Sequence, residues 1–171
     1  MLKLRFPASE IDYWAARFDP WWYEDQLVNE IAPRAQAAGF LNKPDFLVLA
    51  EWKTPRPRKK FQKNPEDYIQ AVTHTALTTP SERLRIEVLT LLDGVSWPVA
   101  SAILHFVHPE PYPILDFRTM WSLRVDWETL IYSFDFWWDY TTFCRQTAQK
   151  YGVSLRVFDK ALWQYSKENQ G

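Results

Sequence analysis

Apolar and polar positions along this chain recur with the spacing of helices, and the residues between the apolar runs are helix starts and stops. Ser9 is positioned to cap a helix through about Phe18, which Pro20 ends. A second helix is predicted from about Trp22 to Ala38, with Gly39 beyond it and Pro33 expected to kink or divide it. Pro44 opens a third, carrying DFLVLAEWK, and Pro55 and Pro57 then enforce an extended segment. Asn64-Pro65-Glu66-Asp67 reads as a cap, a proline at the first position and acids at the positive end of the helix dipole, starting a helix to about Leu77. Thr79-Pro80 opens SERLRIEVLTLL, in which Leu84, Val88, Leu91 and Leu92 are expected on one apolar face until Gly94 stops the helix. WPVASAILHFV then forms a helix from near Ser96 to His108-Pro109. A proline-rich connector leads to Asp116 and the short helix FRTMWSL. Two long helices, from Ser133 to Tyr151 and from Ser154 to about Lys167, close the pattern. The expectation is an all-α domain of about eight to ten helices spanning residues 1–171.

Composition adds bounds rather than elements. Aromatic residues reach 17%, with ten Trp, so large rings either fill a helical core or line a pocket for a flat ligand. Trp52, Tyr112 and the run Trp21-Trp22-Tyr23 are candidate pocket walls as well as core residues. The single cysteine, Cys144, excludes a disulfide scaffold, a Cys-ligated zinc site and an iron–sulfur cluster within one chain. His105 and His108 stand three apart on one helix, as metal ligands can, but no matching Cys/His/Asp cluster accompanies them, so no metal is expected. Phosphate-binding and dinucleotide-binding glycine motifs are missing, and no cofactor is implied. No apolar run approaches the ~18 residues of a membrane span, and MLKLRFPASEID lacks the apolar core of a signal peptide. A cytoplasmic protein with no membrane partner is the expectation.

Charge is unevenly placed. From Lys53 to Lys63 the chain reads KTPRPRKKFQK, with six cations and no acid; since the whole chain carries −1, the remainder carries −7. Lys53, Arg56, Arg58, Lys59, Lys60 and Lys63 thus form a local basic stripe suited to docking on a phosphate backbone, or a solvated surface loop. Asn64, where the stripe meets the next helix, is a cap or a phosphate contact.

The chemistry-bearing stretch runs from residue 91 to 123. Leu92-x-Gly94-Val95-Ser96-x-x-x-Ala100-x-x-Ile103-Leu104 resembles the helix-hairpin-helix pattern. Its physical logic is a first helix ended by a glycine able to take positive φ, a tight hairpin, and a second helix whose leading N–H groups face outward toward phosphate oxygens. Downstream, PILDFRTMWSL is similar to the segment that follows the hairpin in the helix-hairpin-helix DNA glycosylase superfamily, in its endonuclease III and 3-methyladenine glycosylase II branches. Asp116 matches the catalytic Asp of that family, and Arg118 lies near its Arg position. The slot of the family's nucleophilic lysine is Pro98, and the Pro98 to Asp116 interval agrees with the family's Lys-to-Asp spacing.

The resemblance implies two packed helical lobes, a central one over 44–128 with the hairpin at 81–107 and a second formed by 1–43 and 129–171. It also implies DNA as partner, with Gly94, Val95, Ser96 and Trp97 as the anchor and the basic stripe beside it. Trp97 is placed either to stack on a base or to pack between the two helices. Asp116 implies a monofunctional N-glycosylase of the base-excision-repair kind, its carboxylate stabilising positive charge on the deoxyribose and positioning a water. Pro98 has no amine and closes the lyase route. Asp116 also has an ordinary structural use as a helix cap. The alternative is a non-catalytic helix-hairpin-helix protein that binds DNA or another partner; replacement of the hairpin's second glycine by Ser96 and the acidic balance favour it.

Overall fold

A computed structural model describes residues 2–19 and 24–171. Among them no strand occurs, and ten α-helices follow one another: α1 Ile11–Ala16, α2 Ala32–Ala38, α3 Lys43–Lys53, α4 Arg58–Phe61, α5 Glu66–Thr78, α6 Glu82–Leu89, α7 Trp97–Val107, α8 Phe117–Ser122, α9 Phe134–Tyr151 and α10 Leu155–Asn169. The chain is all-α, as its periodicity predicts. The predicted start at Trp22, the stop at Pro20 and the Trp21-Trp22-Tyr23 run lie outside the described residues.

Two units compose the chain: residues 22–111 form one, and residues 1–21 with 112–171 form the other. These limits differ from the boundaries at 44 and 128 that the resemblance implies.

Most helix ends follow local chemistry. Asn42, Ser81, Ser133 and Ser154 each accept a hydrogen bond from the backbone N–H three residues on, capping α3, α6, α9 and α10. Gly39 and Gly152 end α2 and α9 in the left-handed conformation. Pro33 sits in the first turn of α2, directly after a π-helical turn at Leu27–Ile31; the backbone stays helical through Ile31 and Ala32, so in place of a division there is a widened turn where the proline removes a donor.

Several expectations need correcting. Ser9 caps nothing; it lies within a 3-10 turn, Ala8–Glu10, that leads into α1. The basic segment is not extended throughout, since Arg58–Phe61 closes into the single turn α4 after Pro57. The face of α6 is also shifted. Leu84 and Leu91 are 45% and 60% exposed, whereas Arg85, Ile86, Leu89 and Leu92 are buried. An arginine takes a core position because its donors are satisfied: Nη1 donates to the Ala76 carbonyl at 2.8 Å and Nη2 to the Thr79 carbonyl. Those two carbonyls end α5, so Arg85 ties that helix terminus to α6.

Around α7 the unit of residues 22–111 is closely packed. Every residue from Val99 to Val107 except His105 is buried. Phe46, Leu49, Phe61, Ile69, Ile86 and Leu89 are fully buried in the same unit. In the other unit, Trp137, Tyr140, Phe158 and Leu162 form the apolar interior, with Tyr112 stacked on Trp137 at 5.6 Å.

Candidate functional site

The hairpin is built as its sequence requires. After Leu89 the chain tightens: Thr90, Leu91 and Leu92 donate to Glu87, Val88 and Leu89, three residues back rather than four. Val95 N–H then donates to the Leu92 carbonyl at 3.0 Å, closing a turn with Gly94 at its third position. Gly94 has φ 86°, which is the reason a glycine stands there. Ser96 is the N-cap residue of α7, but its side chain makes no capping bond. The first N–H to engage the helix is that of Ala100, bonded to Ser96. Among the described residues, the N–H groups of Gly94, Ser96 and Trp97 make no hydrogen bond. Pro98, next in line, carries none to offer.

The basic segment is fastened to this turn. A Cβ added to Gly94 would lie 2.9 Å from Phe61 Cδ1 and 3.0 Å from both Phe61 Cε1 and Lys60 Cβ. Phe61 is fully buried, anchoring α4 from beneath, and meets Phe46 edge to face. Asn64 completes the join. Its side-chain amide donates to the Phe61 carbonyl at 3.0 Å and the Asp93 carbonyl at 3.1 Å, while its oxygen accepts the Asp93 N–H at 2.8 Å. Asn64 is therefore a buried clamp between α4 and the hairpin. It neither caps α5, whose N-cap residue is Pro65, nor is exposed to a ligand. An Asn before a Pro reads as a cap from sequence, and its distant backbone partners leave no local signal.

The candidate DNA-contacting residues are thus brought together within one unit. Lys59 and Lys60 are exposed on α4, and the Lys60 Cβ lies against Gly94 of the turn. Arg56 and Lys63 are exposed at either side of α4, and Lys53 is half-buried at the end of α3. Arg58 is partly committed, 3.2 Å from Glu51. Val95 is buried, so it supplies turn backbone rather than side chain, and Trp97 is half-buried.

Asp116 belongs to the other unit, where it caps α8. It accepts the Arg118 N–H at 3.0 Å, and its own N–H donates to Thr119 Oγ1 at 3.2 Å, completing a capping box. The structural use of Asp116 is present, and the residue is half-buried. It neighbours the Tyr132 phenol, whose pKa is raised first by burial and then by the Asp116 charge. Phe117 and Trp127 are exposed nearby, with ring centroids 5.5 Å apart.

The remaining candidates fall to packing. Tyr112 is buried and Trp52 packs edge-on to Phe106. His108 Nδ1 accepts the Glu110 N–H at 3.0 Å, and its Nε2 lies 2.7 Å from Arg85 Nη1. Burial, then the Arg85 charge, pushes its pKa down. Among the described residues no group of three His, Cys, Asp or Glu side chains is placed to hold a metal ion, and no helix is long and apolar enough to cross a membrane. Set against known proteins, the chain matches no family model, no curated protein and no solved structure.

Proposed function

We propose that this chain binds the backbone of duplex DNA in the helix-hairpin-helix manner, through the turn at 94–97 and the cations of α4. The observation that carries the reading is the set of N–H groups at Gly94, Ser96 and Trp97, without partners among the described residues. Ser96 and Trp97 open an eleven-residue helix, with Gly94 two residues ahead of its cap, and the helix dipole adds to their attraction for an anion. Lys59 and Lys60 are exposed on a turn locked to the hairpin by Phe61 and Asn64, with the Lys60 Cβ against Gly94. A phosphate held by the amides would have its neighbours on the strand within reach of the lysines.

Binding of a short duplex, followed against salt, tests this. Replacing both lysines with glutamate should weaken binding to every sequence alike and flatten the log–log salt slope by roughly 1.8 or more, at about 0.9 for each phosphate no longer neutralised. Affinity indifferent to salt and to these changes would overturn the reading.

A second reading adds base excision, favoured by a partly accessible Asp116 in the same segment as the exposed rings of Phe117 and Trp127. The ionised carboxylate would stabilise positive charge as the base leaves the deoxyribose and would orient a water toward that carbon, with rings holding an extruded base. The products would be a free base and an intact abasic strand, which a panel of modified duplexes would reveal. No base release from any of them would leave backbone binding as the whole activity.

A further inference from the structure

A second cationic face lies in the unit of residues 1–21 and 112–171, and it involves none of the residues of the basic stripe. Arg156, Lys160, Trp163 and Lys167 recur along α10 at the spacing that places them on one side of the helix. Phe18 meets Trp163 edge to face, with centroids 5.3 Å apart. Over Phe18 lie the Arg156 guanidinium at 5.4 Å and the Lys160 ammonium at 5.3 Å. Over Trp163 lie the Lys167 ammonium at 5.4 Å and the guanidinium of Arg118, from α8, at 5.3 Å. Arg118 also covers Phe117 at 5.0 Å, and Phe117 leans on Trp127. Phe117 and Trp127 are 42% and 38% exposed.

Two half-buried rings therefore gather four cations, and Arg118 links them to two exposed rings. A ring attracts a cation without cancelling its charge. Acids are near: Asp159 pairs with Arg156 at 2.7 Å, and Asp116 precedes Arg118. Asp126 and Glu128 flank Trp127, and Lys167 Nζ donates to the Asp19 carbonyl at 3.1 Å, so the cations gather at Phe18 and Trp163 and reach the exposed rings through Arg118. We propose that this face binds single-stranded nucleic acid, with phosphates on Lys160, Lys167 and Arg118 and bases stacked on Phe117 and Trp127. A duplex hides the flat faces of its bases and would leave the two exposed rings without a partner. An acidic peptide offers carboxylates but no flat faces, and an anionic membrane offers neither bases nor a fixed path of charge. Two exposed rings joined through Arg118 to a row of cations are the combination that an unpaired strand satisfies.

The inference does not rest on duplex docking by the hairpin, and the test separates the two. The whole chain is titrated with a fluorescent oligothymidylate of about 12 nucleotides, within the site sizes such surfaces take. Phe117→Ala with Trp127→Ala should weaken binding by roughly tenfold or more, since each stacked base contributes at least severalfold. Lys160→Gln with Lys167→Gln should flatten the salt slope by roughly 1.4, at about 0.7 per phosphate of a single strand. The Lys59→Glu, Lys60→Glu protein, which should lose duplex, should keep the oligothymidylate. Near-UV circular dichroism checks each fold; if the lysine pair unfolds, the exposed ring pair decides alone. Strand affinity unmoved by the ring pair, or lost only with Lys59 and Lys60, overturns the proposal. So does tighter binding to anionic phospholipid vesicles or polyglutamate than to the oligonucleotide.

Discussion

Replacing Gly94 with alanine gives the most direct measure of how the hairpin and the basic segment are joined. Two effects act. The backbone effect comes from φ 86°, which an L-residue adopts at a cost of roughly 1–2 kcal/mol. The packing effect comes from the added methyl, which would meet Phe61 Cδ1 at 2.9 Å and Lys60 Cβ at 3.0 Å. Neither neighbour gives way cheaply: Phe61 is fully buried, and the Lys60 Cβ is fixed by the α4 backbone. Overpacking of this kind costs about 1–3 kcal/mol. Gly152→Ala supplies the control, since Gly152 has φ 67° but nothing within 4 Å of an added Cβ. It should show the backbone effect alone. Urea unfolding of the two variants should place Gly94→Ala below Gly152→Ala by about 1–3 kcal/mol. Equal destabilisation would refute the claim that α4 is seated against the hairpin turn. Loss of duplex affinity in the folded Gly94→Ala protein should accompany the shift.

Asn64→Ala should cost about 3 kcal/mol in urea unfolding, because the Asp93 N–H and two carbonyls lose a buried partner at about 1 kcal/mol or more each; a drop under about 1 kcal/mol would mean the clamp holds little. Stability should fall as pH drops from 7 toward 5: the lowered pKa of His108 means the unfolded chain takes up the proton first, near the ordinary value of about 6.5. The effect is absent above that value and grows toward the folded pKa; His108→Gln should flatten the slope in this window, and an unchanged slope would show that another group carries it. Asp116→Asn should keep the cap and the fold to within about 1 kcal/mol while abolishing any base release, and the Tyr132 phenol should titrate lower once the neighbouring charge is gone; undiminished base release would remove Asp116 from the chemistry.

Element positions were largely legible because their signals are local. Ser133 and Ser154 cap the two long helices expected to start there, and Gly152 stops a helix, through bonds and dihedrals reached within a few residues, whereas α6 opens at Ser81 and not at Thr79-Pro80, since Thr79 ends α5. What was not legible depends on partners far along the chain. Arg85 reads as surface by residue type, and only the carbonyls of Ala76 and Thr79 make its burial possible. Asn64 reads as a cap because its partner at Asp93 stands twenty-nine residues on. In the candidate site, Gly94 announced its positive φ, but its second role, admitting Phe61, needed the fold. The α10 face is not legible in the sequence because its charges are interspersed with acids, whereas the 53–63 stripe is contiguous.

A helix of four residues is far shorter than the ~12–15 that hold together unaided in water, so α4 takes its order from its two attachments, Phe61 under Gly94 and Asn64 on Asp93. Those attachments fix a register. One residue inserted between Arg58 and Asn64 would carry Phe61 off the glycine or pull the amide from Asp93, whatever its charge. This segment is therefore open to substitution at its outward positions and closed to change in length, a pattern of tolerance more often expected of a buried helix than of a basic loop.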